Sequence, residues 1–330
     1  MAMKRAVYVV AVLVAASRAD AQSVTSEVDV TGGYSSQDRT GAAAQFRVFG
    51  VGAHGVRFFV EGAMAADRGR ESDAFGAAYP YERGVYAMEM YGERLFLKGR
   101  LVGGVRGGRF RTPFGIYNRS DHAYTGFLRA PLVRYDGYFA LSNNFLEHGA
   151  AAFIGTSHVI VESSIGAPAD VGKVHRRTGF DAIVRVQGYA GPLVVGVSHI
   201  RTQPYLPESF ATGDAVFSGV DARWMAGGVL VRGEWLFGRP FRGTSTDGGY
   251  IDVSIHRPEL GPVTAVFRAE RLSYDTVPQF AMYARRQTAG ARVRVGGRLT
   301  AQVDLVHQTS QVAYGHPLAI DVGLTYSFRH

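Results

Sequence analysis

The sequence predicts an all-β protein, an antiparallel up-and-down barrel of about sixteen strands that crosses a membrane. Three observations predict it. Apolar and polar residues alternate with period two over runs of eight to ten residues, the signature of a strand with one apolar and one polar face. Short and long connections then alternate along the chain, as in barrels with tight turns at one end and longer loops at the other. The composition fits: 42 Gly, 12% aromatic and only 19% charged residues in 330, with no Cys. Zero Cys excludes a disulfide framework, thiolate metal sites and a Cys nucleophile.

Residues 1–21 read as a cleaved secretory signal, leaving 22–330 as the barrel. Lys4 and Arg5 precede the apolar run Ala6 to Ala16, and Ala19-Asp20-Ala21 gives a small-x-small cleavage pattern. The run of about eleven residues is too short to span, since a membrane helix needs roughly 20. Cleavage removes Lys4, Arg5, Arg18 and Asp20 and lowers the formal charge of +8 by two units. That mildly basic balance lacks the clustering of a nucleic-acid binder.

The strands follow in order. Near the C-terminus Ile320, Val322, Leu324, Tyr326 and Phe328 oppose Ala319, Asp321, Gly323, Thr325 and Ser327. Leu299, Ala301, Val303 and Leu305 oppose Thr300, Gln302 and Asp304; Ala291, Val293 and Val295 oppose Gly290, Arg292 and Arg294. Tight hairpins are expected at 53–55, 92–93, 155–157, 190–192, 227–228, 258–262 and 296–297. Longer loops are expected near 35–41, 67–84, 110–144, 167–178, 203–214, 239–248, 274–287 and 309–317. The strands between them lie near 24–34, 42–51, 56–66, 85–91, 94–109, 145–154, 158–166, 179–189, 193–202, 215–226, 229–238, 249–257, 263–273, 288–296, 298–308 and 318–328. Both chain ends fall on the short-turn side. One misplaced hairpin would make the count fourteen or eighteen. A secreted β-sandwich would show the same alternation, but its strands are usually five or six residues long, and a face of Gly, Ala and Val fills a sandwich core poorly.

The polar face would line the lumen. Its basic candidates are Arg47, Arg57, Lys98, Arg100, Arg106, Arg185, Arg223, Arg232, Arg268, Arg292 and Arg294. Eleven acids nearly balance them: Glu27, Asp29, Glu61, Glu162, Asp181, Asp221, Glu234, Asp252, Glu270, Asp304 and Asp321. The wall alone therefore predicts no strong ion selectivity. A charged lumen is expected to be wet, because an unpaired charge in a dry interior is very costly. The alternative is a lumen filled by Arg–carboxylate bridges that hold its shape.

The run Gly107-Gly108-Arg109-Phe110-Arg111-Thr112-Pro113-Phe114-Gly115 resembles the G-x-F-x-x-P-F-G segment of general and phosphate-selective outer-membrane porins, where the fifth strand enters the third loop. The closing run to Phe328 likewise resembles the C-terminal aromatic signal of outer-membrane barrels, although Arg329 and His330 follow it. The resemblance implies that the third loop, 110–144, folds into the lumen and narrows it. It implies Arg109, Arg111, Arg119, Arg129 and Arg134 as constriction residues; Lys98, Arg100, Arg106, Arg292 and Arg294, on the alternating polar face, are expected to line the pore. It further implies passive diffusion of small hydrophilic solutes with a mild anion preference. The outer membrane is the expected location, lipid and lipopolysaccharide the surroundings, and a homotrimer the assembly, while no residue pattern marks a subunit interface. The chain departs from the phosphate-selective pattern in lacking a dense basic ladder on one strand. Phe127, Tyr117, Tyr124, Tyr135 and Tyr138 either stack on sugar rings or pack the loop against the wall.

No enzyme, cofactor or metal site is expected. Ser120-Asp121-His122 holds the three residue types of a hydrolytic triad, but chain neighbours point apart. No Gly-x-Ser-x-Gly or His-Glu-x-x-His motif occurs, and the ten His lack ligand spacing. The Gly-rich run 103–108 lacks the Lys-Ser/Thr of a phosphate loop. The competing function is a closed membrane barrel serving adhesion, structure or hydrolysis; less favoured is a secreted carbohydrate-binding sandwich.

Overall fold

The computed structural model describes residues 21–36, 39–68, 84–116, 126–129, 131–134, 146–168, 180–202, 214–239, 245–275, 282–310 and 317–330. Residues 1–20, which carry most of the expected signal, lie outside them. Sixteen strands form one closed antiparallel barrel: β1 (Ala21–Ser35), β2 (Arg39–Gly52), β3 (Val56–Arg68), β4 (Gly84–Lys98), β5 (Leu101–Arg111), β6 (Leu146–Gly155), β7 (Val159–Pro168), β8 (Asp181–Ala190), β9 (Leu193–Thr202), β10 (Ala215–Ala226), β11 (Val229–Arg239), β12 (Ser245–Ile255), β13 (Val263–Asp275), β14 (Met282–Val295), β15 (Leu299–Ser310) and β16 (Leu318–Arg329). Each strand pairs with its sequence neighbours, and β1 closes on β16 with Glu27 opposite Arg329 and Ser35 opposite Asp321. Closure removes every sheet edge, which backbone in lipid requires.

Side-chain polarity is inverted relative to a soluble protein. On β16 Asp321 is fully buried, whereas its apolar neighbours Ile320 and Leu324 are 52% and 54% exposed. The same holds on β13, where Arg268 and Glu270 are buried and Phe267 is 47% exposed. Alternation therefore places charge inside and Val, Leu, Ile and Phe outside, which suits hydrocarbon around the barrel and not water. Aromatic side chains flank the outer apolar band, with Tyr34, Phe180 and Phe237 near the long-loop end and Phe96, Trp224 and Tyr326 near the short-turn end.

The expected strand number and up-and-down order are observed, and six of the seven expected tight turns separate strands. The seventh does not. Gly92 and Glu93 lie inside β4, and the chain reverses at Gly99, whose φ of 61° suits glycine. Strand β4 continues because Glu93 faces the lumen and binds Arg106 of β5. Boundaries at the long-loop end also move. Strand β14 begins at Met282 and β12 at Ser245, so residues expected in loops extend the wall.

Candidate functional site

The lumen wall is built from charged residues on the inward face of the strands. On β1 to β7 each of three arginines is shared by two carboxylates. Arg47 binds Glu27 at 3.1 Å and Asp29 at 2.8 Å. Arg106 binds Glu93 at 2.7 Å and Glu162 at 3.5 Å, its guanidinium over the Tyr91 ring. Arg111 binds Glu61 at 2.6 Å and Glu89 at 2.5 Å. Across the barrel the proportion reverses. Asp252 of β12 is shared by Arg232 of β11, at 2.9 Å, and Arg268 of β13, at 2.6 Å. Arg223 lies directly opposite Arg232 in register, and Arg292 and Arg294 of β14 occupy the same inward face. Strands β4 and β12 stand eight apart in a closed ring of sixteen, so an acid-rich wall faces an arginine-rich one. Opposed charge of this kind sets a field across the lumen, which low-dielectric walls focus.

The segment after β5 enters this space, as the fold class expected. Thr112, Phe114, Phe127, Leu128, Leu132 and Val133 are all buried. Four backbone N–H groups of the loop donate to the wall: Gly115 to Ser198 at 3.1 Å, Ile116 to Glu234 at 3.3 Å, Leu128 to Asp304 at 3.0 Å and Leu132 to Glu270 at 3.0 Å. Pairing with three wall acids and a serine hydroxyl satisfies groups that would otherwise be stranded out of water. Phe114, Leu132 and Val133 also pack with Ile183, Ile200, Phe217, Leu236, Tyr250 and Leu272, an apolar cluster inside the lumen. Phe127 lies 4.0 Å from the Arg268 guanidinium, which also donates to the Arg129 carbonyl. Beyond the root at Arg111, these contacts seat the described loop residues against β8 to β16 and the end of β1.

The expected constriction residues separate into different environments. Arg111 roots the loop through Glu61 and Glu89. Arg129 makes a two-point contact with Asp321, at 2.5 and 3.0 Å, and donates to Ser35. Arg109 donates to the Met88 carbonyl at 3.0 Å. Arg134 ends a short 3-10 turn, Leu132–Arg134, and Arg119 lies outside the described residues, as do Tyr117, Tyr124, Tyr135, Tyr138 and the Ser120-Asp121-His122 run. Among the lining candidates, Arg106 is held in the wall, Arg292 lies beside Gly126 of the loop, and Lys98 and Arg100 stand exposed at the β4–β5 turn.

Sequence reading missed several members. Glu89 and Glu93 are wall acids, Arg286 pairs with Glu270 at 2.5 Å, and the Tyr250 hydroxyl donates to Glu234. The missing signal for Glu93 and Arg286 was strand extent, since both lay in expected connections. For Asp304 and Glu270, the inward face was legible and the partner was not.

No protein-family model matches this chain, and no curated protein matches it. Solved structures do. The anion-selective porin from Comamonas acidovorans aligns with TM-score 0.67 and 13% identity over 93% of this chain and 99% of that one. OmpF of Salmonella typhi, solved with daunomycin, aligns with TM-score 0.63 and 11% identity over 93% and 97%. OprB of Pseudomonas putida gives TM-score 0.61 and 10% identity over 92% and 93%. At such identities the likeness is one of fold: the chain resembles bacterial porins and folds as their sixteen-stranded barrel.

Proposed function

We propose that this protein is a bacterial outer-membrane porin, a water-filled channel for passive diffusion of small hydrophilic solutes. The observation that carries this reading is the inverted polarity of a closed barrel whose inserted loop is tied to one half of the wall. Such a loop narrows a lumen, and solutes are then sorted by size and by the field between the two walls, with no covalent step. Residues 1–21 direct export and are removed, and outer-membrane lipid and lipopolysaccharide surround the barrel. A homotrimer follows from the same reading.

A mild anion preference belongs to this proposal. Arg111 and Arg129 serve chiefly as anchors, because wall carboxylates offset their charge. Arg292 and Arg294 supply the attraction, since among the described residues neither has a carboxylate within ion-pair distance. The apolar cluster around Phe114 favours a second reading, a lumen closed by its loop.

Conductance of the refolded protein in a planar bilayer under a salt gradient separates the two. Discrete steps with a reversal potential of anion sign are expected. A silent bilayer with a correctly folded, heat-modifiable barrel would overturn the open channel in favour of the closed one.

A further inference from the structure

Near the long-loop end, two arginines on the outward face stand directly opposite each other, Arg271 of β13 and Arg285 of β14. Directly opposed side chains on neighbouring strands lie about 5 Å apart at Cβ, and like charges there repel. Both guanidiniums converge on one ring, that of Tyr283, at 5.7 and 4.8 Å. Arg271 also lies 5.8 Å from the ring of Trp235, which in turn covers Gly249.

Little on the protein offsets these two charges. Asp247 of β12 approaches Arg271 at 3.8 Å while 38% exposed. Among the described residues, Arg285 has no carboxylate within ion-pair distance, and the buried Tyr283 hydroxyl has no hydrogen-bond partner. From β15 the same face receives His307, opposite Gln287 of β14. Below the pair, toward the middle of the strands, the outward surface turns apolar at Ile251, Phe267 and Leu305.

We infer that Arg271, Arg285 and Tyr283 form a binding site for the phosphate of an outer-leaflet glycolipid headgroup. A phosphate placed between the guanidiniums accepts charge-assisted hydrogen bonds from both and relieves their repulsion. The ring of Tyr283 holds both guanidiniums, while its hydroxyl lies buried beneath them. The position selects a lipid over a free anion: the pair faces away from the lumen, at the upper margin of the apolar band, where acyl chains lie against Phe267 and Leu305. The inference rests on the outer-membrane reading, which sets the long-loop end in the outer leaflet.

The test compares refolded wild type with Arg271→Gln/Arg285→Gln, using detergent-solubilised bisphosphorylated lipid A and the same lipid with its phosphates removed. Wild type is expected to bind the phosphorylated form at least tenfold more tightly, and the double variant to lose that difference. Equal affinity of the double variant and wild type for phosphorylated lipid A would overturn the site. Full competition by inorganic phosphate at equal concentration would overturn the lipid as its occupant. Heat-modifiable migration reports folding, and Arg285→Gln alone, predicted to lose most of the preference, serves if the double variant misfolds. Conductance is measured on the same samples, because the site lies outside the lumen. Phosphate-dependent binding without conductance steps would retain this site while removing the channel reading. Steps without such binding would do the reverse.

Discussion

Arg111 grips Glu61 through both terminal nitrogens, at 2.6 and 3.0 Å, where the fifth strand gives way to the inserted loop. The pair is buried, and Glu89 adds a second carboxylate to the same guanidinium. Removing one partner leaves the other charge unmatched, a loss of about 3–5 kcal/mol for a buried pair. Glu61→Gln and Arg111→Gln are both expected to lower the temperature at which the heat-modifiable band disappears. The freed loop root should also raise current noise. Noise at the wild-type level in a folded Arg111→Gln barrel would show that the loop needs no anchor here.

Asp252 tests the arginine-rich wall. Its carboxylate serves Arg232 and Arg268 together, and Arg268 in turn holds Phe127 and the Arg129 carbonyl. Asp252→Asn keeps the shape but leaves two buried guanidiniums without their shared counter-charge. Refolding yield should fall, and the folded fraction should show a reversal potential shifted toward anions under the same salt gradient. A reversal potential equal to wild type would mean that permeating ions do not sense this wall.

The fold was legible where inward and outward residues differ sharply in polarity. Strand β16 is such a case, with Asp321 inside and Ile320, Val322 and Leu324 outside. It was less legible where glycine interrupts that contrast. Gly92 suggested a turn, although Glu93 must continue inward to reach Arg106, and only Gly99 carries the positive φ of a reversal. Arg285 and Arg286 suggested a loop because both are charged, yet one faces outward and the other pairs with Glu270. The loop seats were beyond any local pattern. Leu128 and Asp304 are 176 residues apart, and only barrel closure brings them within 3.0 Å.

Arg292 and Arg294 distinguish charge from architecture. They share the inward face of β14, and no described carboxylate lies within ion-pair distance of either. Replacing both by Gln removes two positive charges without breaking a described ion pair. Folding should be retained, and the permeability ratio of anion to cation should fall by about twofold or more, within the modest electrostatic range expected of a lumen charge. An unchanged ratio would assign the preference to residues elsewhere in the pore.

Gly115 tests how closely the loop fits its seat. Its φ of 62° is left-handed, and a Cβ there would collide with Glu234 Oε1. Gly99 has nearly the same φ, 61°, but open space where its Cβ would be. Alanine at either position bears the left-handed penalty of roughly 1–2 kcal/mol. Only Gly115→Ala must also push the Glu234 carboxylate away from the Ile116 N–H and the Tyr250 hydroxyl. The difference between the variants therefore isolates the seat from the backbone. Gly115→Ala is expected to lose more thermal stability than Gly99→Ala and to change single-channel conductance, while Gly99→Ala leaves conductance as in wild type. Equal losses with unchanged conductance would show that Glu234 yields freely and that the hydrogen bond to Ile116 does not hold the loop.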